Sequence, residues 1–145
     1  MKYLLDTNVV SELARRMPDD NVVRWFSSVE EDALFLSAPV VGELVFGVSK
    51  LEDGVQKDRY TGFVRKIRNR FGNRVLIFDN AMAEAWGRLR GALARRGKTL
   101  PMIDSMIAAM ALVHGMTVVT RNTRDFETAG VSLYNPFKTA QEGEK

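Results

Sequence analysis

Met1-Lys2-Tyr3-Leu4-Leu5-Asp6-Thr7-Asn8-Val9-Val10-Ser11-Glu12 is the stretch on which the reading of the fold turns. Lys2 to Leu5 is a short, largely apolar run that stops at Asp6; Val9, Val10, Leu13 and Ala14 then follow with helical spacing. The pattern predicts a buried strand, a turn carrying a carboxylate, and a helix. In open parallel sheets ligands sit in the crevice beyond the carboxyl ends of the strands, which makes Asp6 a candidate metal ligand. Aspartate is also a good helix cap, and on this stretch alone the cap is the simpler reading.

The rest of the chain repeats the same alternation. Leu34-Phe35-Leu36-Ser37, Val75-Leu76-Ile77-Phe78 and Thr117-Val118-Val119-Thr120 read as further strands, with Val131 to Tyr134 as a last edge strand. Between them lie helical patterns: Val22 to Val29, Ala38 to Val48, about Asp58 to Phe71, Asp79-Asn80 to Arg96, and Ile103 to His114. Strands alternating with helices predict an α/β domain, a mostly parallel central sheet with helices on both faces. Residues 1–137 read as one domain and 138–145 as a disordered tail. The Ile103 to His114 segment is apolar nearly all round, so it is either central or covered by a partner chain.

Composition narrows the chemistry. At 145 residues the chain is long enough to bury a real core, and its 46% hydrophobic and 27% charged content is ordinary for a globular protein. It has no cysteine and a single histidine, His114. That removes disulfides, thiolate metal sites and two-histidine acid–base catalysis. His114 sits before Gly115 at a helix end, where a dipole role is the simpler one. No run approaches the roughly 20 apolar residues of a membrane span, and an acid arrives too early for a signal peptide, so a cytoplasmic location is expected. The net charge is +3. Arg65, Lys66, Arg68, Arg70 and Arg74 cluster, as do Arg88, Arg90, Arg95, Arg96 and Lys98. These are either solvated helix faces or a phosphate-tracking surface.

Several acids stand where apolar residues surround them. Asp6 follows the first strand, Glu43 lies in Pro39-Val40-Val41-Gly42-Glu43-Leu44, and Asp104 opens the apolar helix in Pro101-Met102-Ile103-Asp104-Ser105. Asn122 and Asp125 follow the fourth strand in Thr120-Arg121-Asn122-Thr123-Arg124-Asp125-Phe126. All fall at strand carboxyl ends or just inside the next helix, places that share one edge of a doubly wound sheet. Carboxylates brought together repel, and a divalent cation relieves the cost; oxygen-only donors suit Mg²⁺ or Mn²⁺. Each acid also has an ordinary use: Asp104 beside a helix dipole, Asp125 in a turn, Glu43 as a rim charge.

Taken in order, Asp6-Thr7-Asn8 with Ser11-Glu12, the Glu43 helix, Asp104 before Ile107-Ala108-Ala109, and Thr120-Arg121-Asn122 through Asp125-Phe126 resemble the PIN-domain nucleases, most nearly their VapC and FitB-like toxins. Phe78-Asp79 and Tyr134-Asn135-Pro136 fit the same pattern, and the likeness runs from about Met1 to Phe137. The resemblance implies a three-layer α/β/α PIN-like fold and an endoribonuclease dependent on Mg²⁺, with Mn²⁺ as substitute. It implies a VapB/FitA-like antitoxin that wraps the toxin and binds operator DNA. By position Asp6, Glu43 and Asp104 are the core acids and metal ligands. The fourth family acid falls where this chain has Asn122; an amide orients water but supplies no charge, and Asp125 is the alternative. Thr7 is expected to position water or metal, and Arg121 and Arg124 to hold phosphates or to be loop charges.

Other readings remain open from the residues. A haloacid-dehalogenase-type phosphotransferase needs a second aspartate where Asn8 stands, and a receiver domain would use Asp79, which reads better as a helix cap. A catalytically weak module that binds RNA or a partner is the serious rival, favoured by Asn122. Trp25, Phe26, Val45, Phe46 and Trp86 exceed what a small core obviously needs. They are either core, or a surface for an antitoxin helix or a second copy in a homodimer.

Overall fold

The computed structural model describes residues 1–138. Apart from Lys138, the expected tail lies outside the described residues. The strands are β1 (Tyr3–Leu5), β2 (Leu34–Ser37), β3 (Val75–Leu76), β4 (Thr117–Val119) and β5 (Leu133–Tyr134). The helices are α1 (Thr7–Glu12), α2 (Asp20–Ser28), α3 (Ala38–Ser49), α4 (Val55–Phe71), α5 (Asn80–Arg95), α6 (Met102–His114) and α7 (Thr123–Phe126). The sheet runs β3-β2-β1-β4-β5, and every pairing among the described residues is parallel.

That order fixes the site. The chain moves from β1 outward to β3, then returns to lay β4 on the other side of β1. Right-handed crossovers therefore put the helices of the two halves on opposite faces. The reversal leaves a crevice between the carboxyl ends of β1 and β4. β1 and β4 are in register through Leu5 and Val119, and the Asp6 N–H continues the ladder onto the Val119 carbonyl at 2.9 Å. The next residues on the two strands, Asp6 and Thr120, thus emerge side by side. Below them Leu4, Leu5, Leu34, Leu36, Val118 and Val119 are buried completely, as befits strands covered on both faces.

Helix ends follow the local chemistry. Ser37 Oγ accepts the Val40 N–H at 3.4 Å and Pro39 sits in the first turn of α3. Asp79 Oδ1 accepts the Met82 N–H at 3.1 Å, the cap expected of it. Gly115 adopts φ 65° after α6, a left-handed stop that turns the chain straight into β4. α6 is central over Ile107 to Ala111, all buried, while Met102, Leu112 and Val113 at its ends are exposed. No helix is long and apolar enough to cross a membrane among the described residues.

The edges depart from expectation. β3 is two residues long rather than running to Phe78: it pairs only with β2, and Ile77 swings outward, 69% exposed, as the chain turns into the α5 cap. β5 pairs only through Leu133 and Tyr134, and the segment after β4 holds the short helix α7. Trp25 and Trp86 are half-buried. Trp25 packs edge-on against Tyr3 at 5.2 Å and Phe26 at 5.1 Å, and Trp86 lies against Phe78 at 6.2 Å. Of the apolar residues read as surplus, only Val45 and Phe46 are exposed.

Part of the first basic cluster is structural. Arg70 grips Glu31 with two bonds of 2.7 and 2.8 Å, and Arg74 adds one at 3.0 Å while donating to the Glu31 and Leu34 carbonyls at 2.6 Å each. The carboxyl end of α4 is thereby fastened to the start of β2. The Arg70 hydrogen bonds, with help from Arg74, hold the Glu31 carboxyl down at about 2. A depressed acid stabilises the fold above its unfolded pKa and loses that contribution as pH falls from 4.5 toward 2. Because Glu31 is 45% exposed, the contribution is about 1 kcal/mol. Urea melts of Glu31→Gln should show that deficit at pH 7 and none near pH 2; an equal deficit at both would show that the charge is not responsible.

Candidate active site at the β1–β4 crevice

Asp6 is 5% exposed, and both its carboxylate oxygens are engaged. Oδ1 accepts the Thr7 N–H at 2.7 Å, so the residue does cap α1. Oδ2 accepts the Thr120 hydroxyl at 2.8 Å and the Asn8 amide at 3.3 Å. Cap and candidate ligand are therefore the same group, one oxygen serving the helix and the other facing the crevice. Burial raises its pKa, while the bonds from Thr120 and Thr7 work against the rise.

Asn8 and Thr120, quoted in the motifs but given no role there, tie the two strand ends together. Asn8 Nδ2 reaches Thr120 Oγ1 at 3.4 Å, Asn8 Oδ1 accepts the Arg121 N–H at 3.2 Å, and Thr120 Oγ1 accepts the Asn122 N–H at 3.0 Å. The signal for Thr120 was its register one step beyond Val119, which becomes visible only once β4 is known to lie beside β1. Thr7 Oγ1 is buried with no hydrogen-bond partner among the described residues, an unsatisfied polar atom one residue from the crevice carboxylate.

Asp104 stands in the first turn of α6, whose amino end carries no side-chain cap. The turn is fixed from behind: Trp86 Nε1 donates to Ser105 Oγ at 2.8 Å, and that hydroxyl donates to the Met102 carbonyl at 2.5 Å. Asp104 is half-buried and its carboxyl is pushed up to about 6, first by burial and then by the negative charges of Asp6, Asp125 and Glu43. Acids far apart in the chain are thus within one another's field. Glu43, half-buried on α3, lies beside Phe46, Phe78, Ile103 and Met106.

Asn122 and Asp125 are both exposed, on the segment that includes α7. Asn122 occupies the cap position of α7 without making a side-chain cap bond. Asp125, not Asn122, brings negative charge to Asp104. Arg121 points toward the chain end, its guanidinium 4.4 Å from the centre of the Phe137 ring, and Arg124 is exposed. Glu12, quoted in the opening motif, is structural: it is 5% exposed and accepts the Asp19 N–H at 2.9 Å.

Among the described residues no three acids already form a ready-made chelating cluster. Mg²⁺ does not need one; it keeps several waters and takes one or two carboxylates along with substrate oxygens. Asp6 and Asp104, oxygen donors of which the first raises the cost of ionising the second, fit that requirement, with the Thr7 hydroxyl unpartnered among the described residues beside Asp6.

A parallel α/β sheet with acids gathered at its switch point is compatible with metal-assisted phosphodiester chemistry. The particular family follows from comparison. The model of the PIN domain matches residues 3–131, and the chain belongs to that family. It is 38% identical to toxin FitB of Neisseria gonorrhoeae over 135 residues, 92% of this chain and 97% of that protein. It is 35% identical to the VapC ribonuclease Y4jK of Sinorhizobium fredii over 138 residues, 94% of this chain and 99% of that one. A solved structure of FitAB bound to a DNA fragment contains a chain that superposes with TM-score 0.87 at 37% identity, covering 94% of this chain and 96% of that one.

Proposed function

We propose that this chain is the ribonuclease toxin of a toxin–antitoxin pair and hydrolyses RNA phosphodiester bonds with Mg²⁺, or Mn²⁺ in its place. The observation that carries the reading is Asp104 held in the combined field of Asp6, Glu43 and Asp125 at one sheet edge. Asp6 and Asp104 would hold the ion, with Glu43 supporting them. Bound there, it would supply charge neutralisation for the carboxylates and phosphate and a more acidic attacking water. Thr120 and Asn8 keep the Asp6 oxygen aimed into the crevice. Thr7 offers its free hydroxyl to water, Asp125 supplies the fourth carboxylate, and Asn122 and Arg124 line the entry. Arg121, stacked on Phe137, serves phosphate from the rim.

The named relatives support the partners. FitB and VapC are toxins or ribonucleases by name, and FitA and FitB occur together on DNA. We assign this chain a FitA-like antitoxin that carries it to operator DNA, and a cytoplasmic setting. We also assign a homodimer across the apolar surface of Phe46, Ile77 and Met102, which are 62%, 69% and 60% exposed. Cleavage of single-stranded and structured RNA should appear on adding Mg²⁺ or Mn²⁺, disappear in EDTA, and be lost in Asp6→Asn. The exposed Asn122 amide favours one rival, a module that binds RNA without cutting. Equal RNA binding in EDTA, with no cleavage on adding metal, would establish that rival instead.

A further inference from the structure

Ser105, the residue after Asp104, is completely buried. Alanine is the better helix former, and a buried hydroxyl costs stability unless it is bonded. This hydroxyl is bonded twice. It donates to the Met102 carbonyl at 2.5 Å and accepts the Trp86 indole N–H at 2.8 Å. The Ser105 N–H closes the same turn on the Pro101 carbonyl at 2.9 Å. Asp104 thus lies between two residues that the hydroxyl joins. Trp86 comes from α5 and is itself held: Phe78 meets its ring at 6.2 Å and 75°, and the Arg90 guanidinium lies 4.8 Å from the ring centre. The two acids of the crevice are fixed in different ways. Three donors aim the Asp6 carboxylate. Among the described residues no ion pair holds the Asp104 carboxylate, and the amino end of α6 has no side-chain cap. The place of Asp104 therefore depends on the backbone turn that carries it.

We propose that Trp86 is a positioning residue for the metal site: through Ser105, its indole N–H sets the α6 turn that presents Asp104. The assignment rests on the metal-dependent reading above. Packing alone does not account for an indole at this place, since phenylalanine would keep an aromatic ring against Phe78 and Arg90. What only the indole brings is the N–H, and that donor is spent on Ser105. With its acceptor side taken by Trp86, the hydroxyl keeps its proton on Met102 and the turn keeps one shape. Precision matters here because Mg²⁺ demands near-ideal octahedral geometry, with oxygens at about 2.1 Å. A small slackening of the turn moves the Asp104 oxygens by an amount that such a sphere does not absorb. Groups that orient a metal ligand from behind typically contribute about 10- to 100-fold in affinity.

The test uses the full chain and Mn²⁺ without RNA, the free ion being followed by electron paramagnetic resonance. Trp86→Phe and Ser105→Ala should each weaken Mn²⁺ binding about tenfold. The double variant should match Ser105→Ala, because both changes act through one bond and their effects do not add. In cleavage, the Mn²⁺ concentration for half-maximal rate should rise by the same factor, while KM for RNA at saturating Mn²⁺ stays at the parent value. A merely structural role would lower the melting temperature in EDTA and leave Mn²⁺ affinity alone. Parent-level affinity in Trp86→Phe therefore overturns the proposal whatever the melting temperature does. Losses that multiply in the double variant would break the link through Ser105. A raised KM for RNA with Mn²⁺ affinity unchanged would give the indole to the substrate instead; either result overturns the proposal. If the parent binds no Mn²⁺, the metal reading fails and this proposal with it. If the parent binds Mn²⁺ and cuts, and Trp86→Phe does both equally well, only the positioning role is lost.

Discussion

Asp104→Asn is expected to abolish cleavage and, in the absence of metal, to make the protein more stable. The two effects have one origin. A carboxyl whose folded pKa lies above its unfolded value burdens the fold only once ionised. Below pH 3.8 both states keep the proton and there is no cost; the cost grows as pH rises from 3.8 to about 6 and is constant above. A shift of that size corresponds to about 3 kcal/mol at 1.36 kcal/mol per unit, and to about 2 kcal/mol after screening at a half-buried site. Asparagine removes the charge and with it the repulsion from Asp6, Asp125 and Glu43. Chemical denaturation at pH 7.5 in EDTA should place Asp104→Asn about 2 kcal/mol above the parent, and the gap should close near pH 3.5. Saturating Mg²⁺ should raise the melting temperature of the parent and leave the variant where it was, because the ion stabilises by binding the folded state. Cleavage should fall by more than about 100-fold, the loss already seen for residues that merely support a ligand. A variant less stable than the parent in EDTA would mean the acids do not repel one another, and the common site would be lost with that result.

The same carboxyl gives the activity its acid limb. Protonated Asp104 offers no charge to a cation, so at fixed Mg²⁺ the cleavage rate should drop as pH falls through about 6. Raising Mg²⁺ should move that limb to lower pH, since the ion competes with the proton for the same oxygens. A limb that stays put across a hundredfold range of Mg²⁺ would separate the titrating group from the metal site.

Legibility in the sequence followed how local each signal was. Asp6 was readable because an apolar run stops at it, and Asp104 because its neighbours look buried. The cap and the ligand readings of Asp6 appeared as rivals; one oxygen of the carboxylate makes the cap, and the other is bonded by Thr120 and Asn8. Asn8 and Thr120 were not readable, since their bond joins residues 112 positions apart and depends on β4 lying beside β1. Strand order is a tertiary property that alternation of strands and helices does not encode. The tryptophans were ambiguous for a related reason. Large apolar residues at helical spacing look alike whether they face the core or a partner, and Trp25 has Tyr3, Phe26 and Tyr134 around it. The arginines of α4 divide likewise: Arg70 and Arg74 find Glu31, while among the described residues Arg65 and Arg68 make no ion pair, a division that depends on a glutamate 39 residues from Arg70.

Asp125→Asn should cost between about 10- and 100-fold in cleavage, the range for a residue that supports a metal site, whereas Asn122→Asp should leave activity at or above that of the parent. The reasoning is electrostatic. A cation in the crevice is held by the total negative charge around it, and Asp125 contributes to the field at Asp104 where Asn122 does not. Both side chains come from one short segment, and the Asp125 N–H is bonded to the Asn122 carbonyl at 3.0 Å, so the carboxylate can be moved between the two positions with little disturbance. Asn122→Asp/Asp125→Asn therefore restores the charge count and should regain most of the lost rate, with the Mg²⁺ concentration for half-maximal cleavage returning toward the parent value. A merely structural role for Asp125 in α7 would give no such rescue, because an acid at position 122 cannot replace a lost contact at 125. Asp125→Asn should also lower the Asp104 carboxyl pKa, followed by carbon-detected NMR in EDTA, because a negative neighbour has been removed. An Asp125→Asn protein that cuts as fast as the parent, alongside an Asn122→Ala protein that does not cut, would hand the fourth position to the amide.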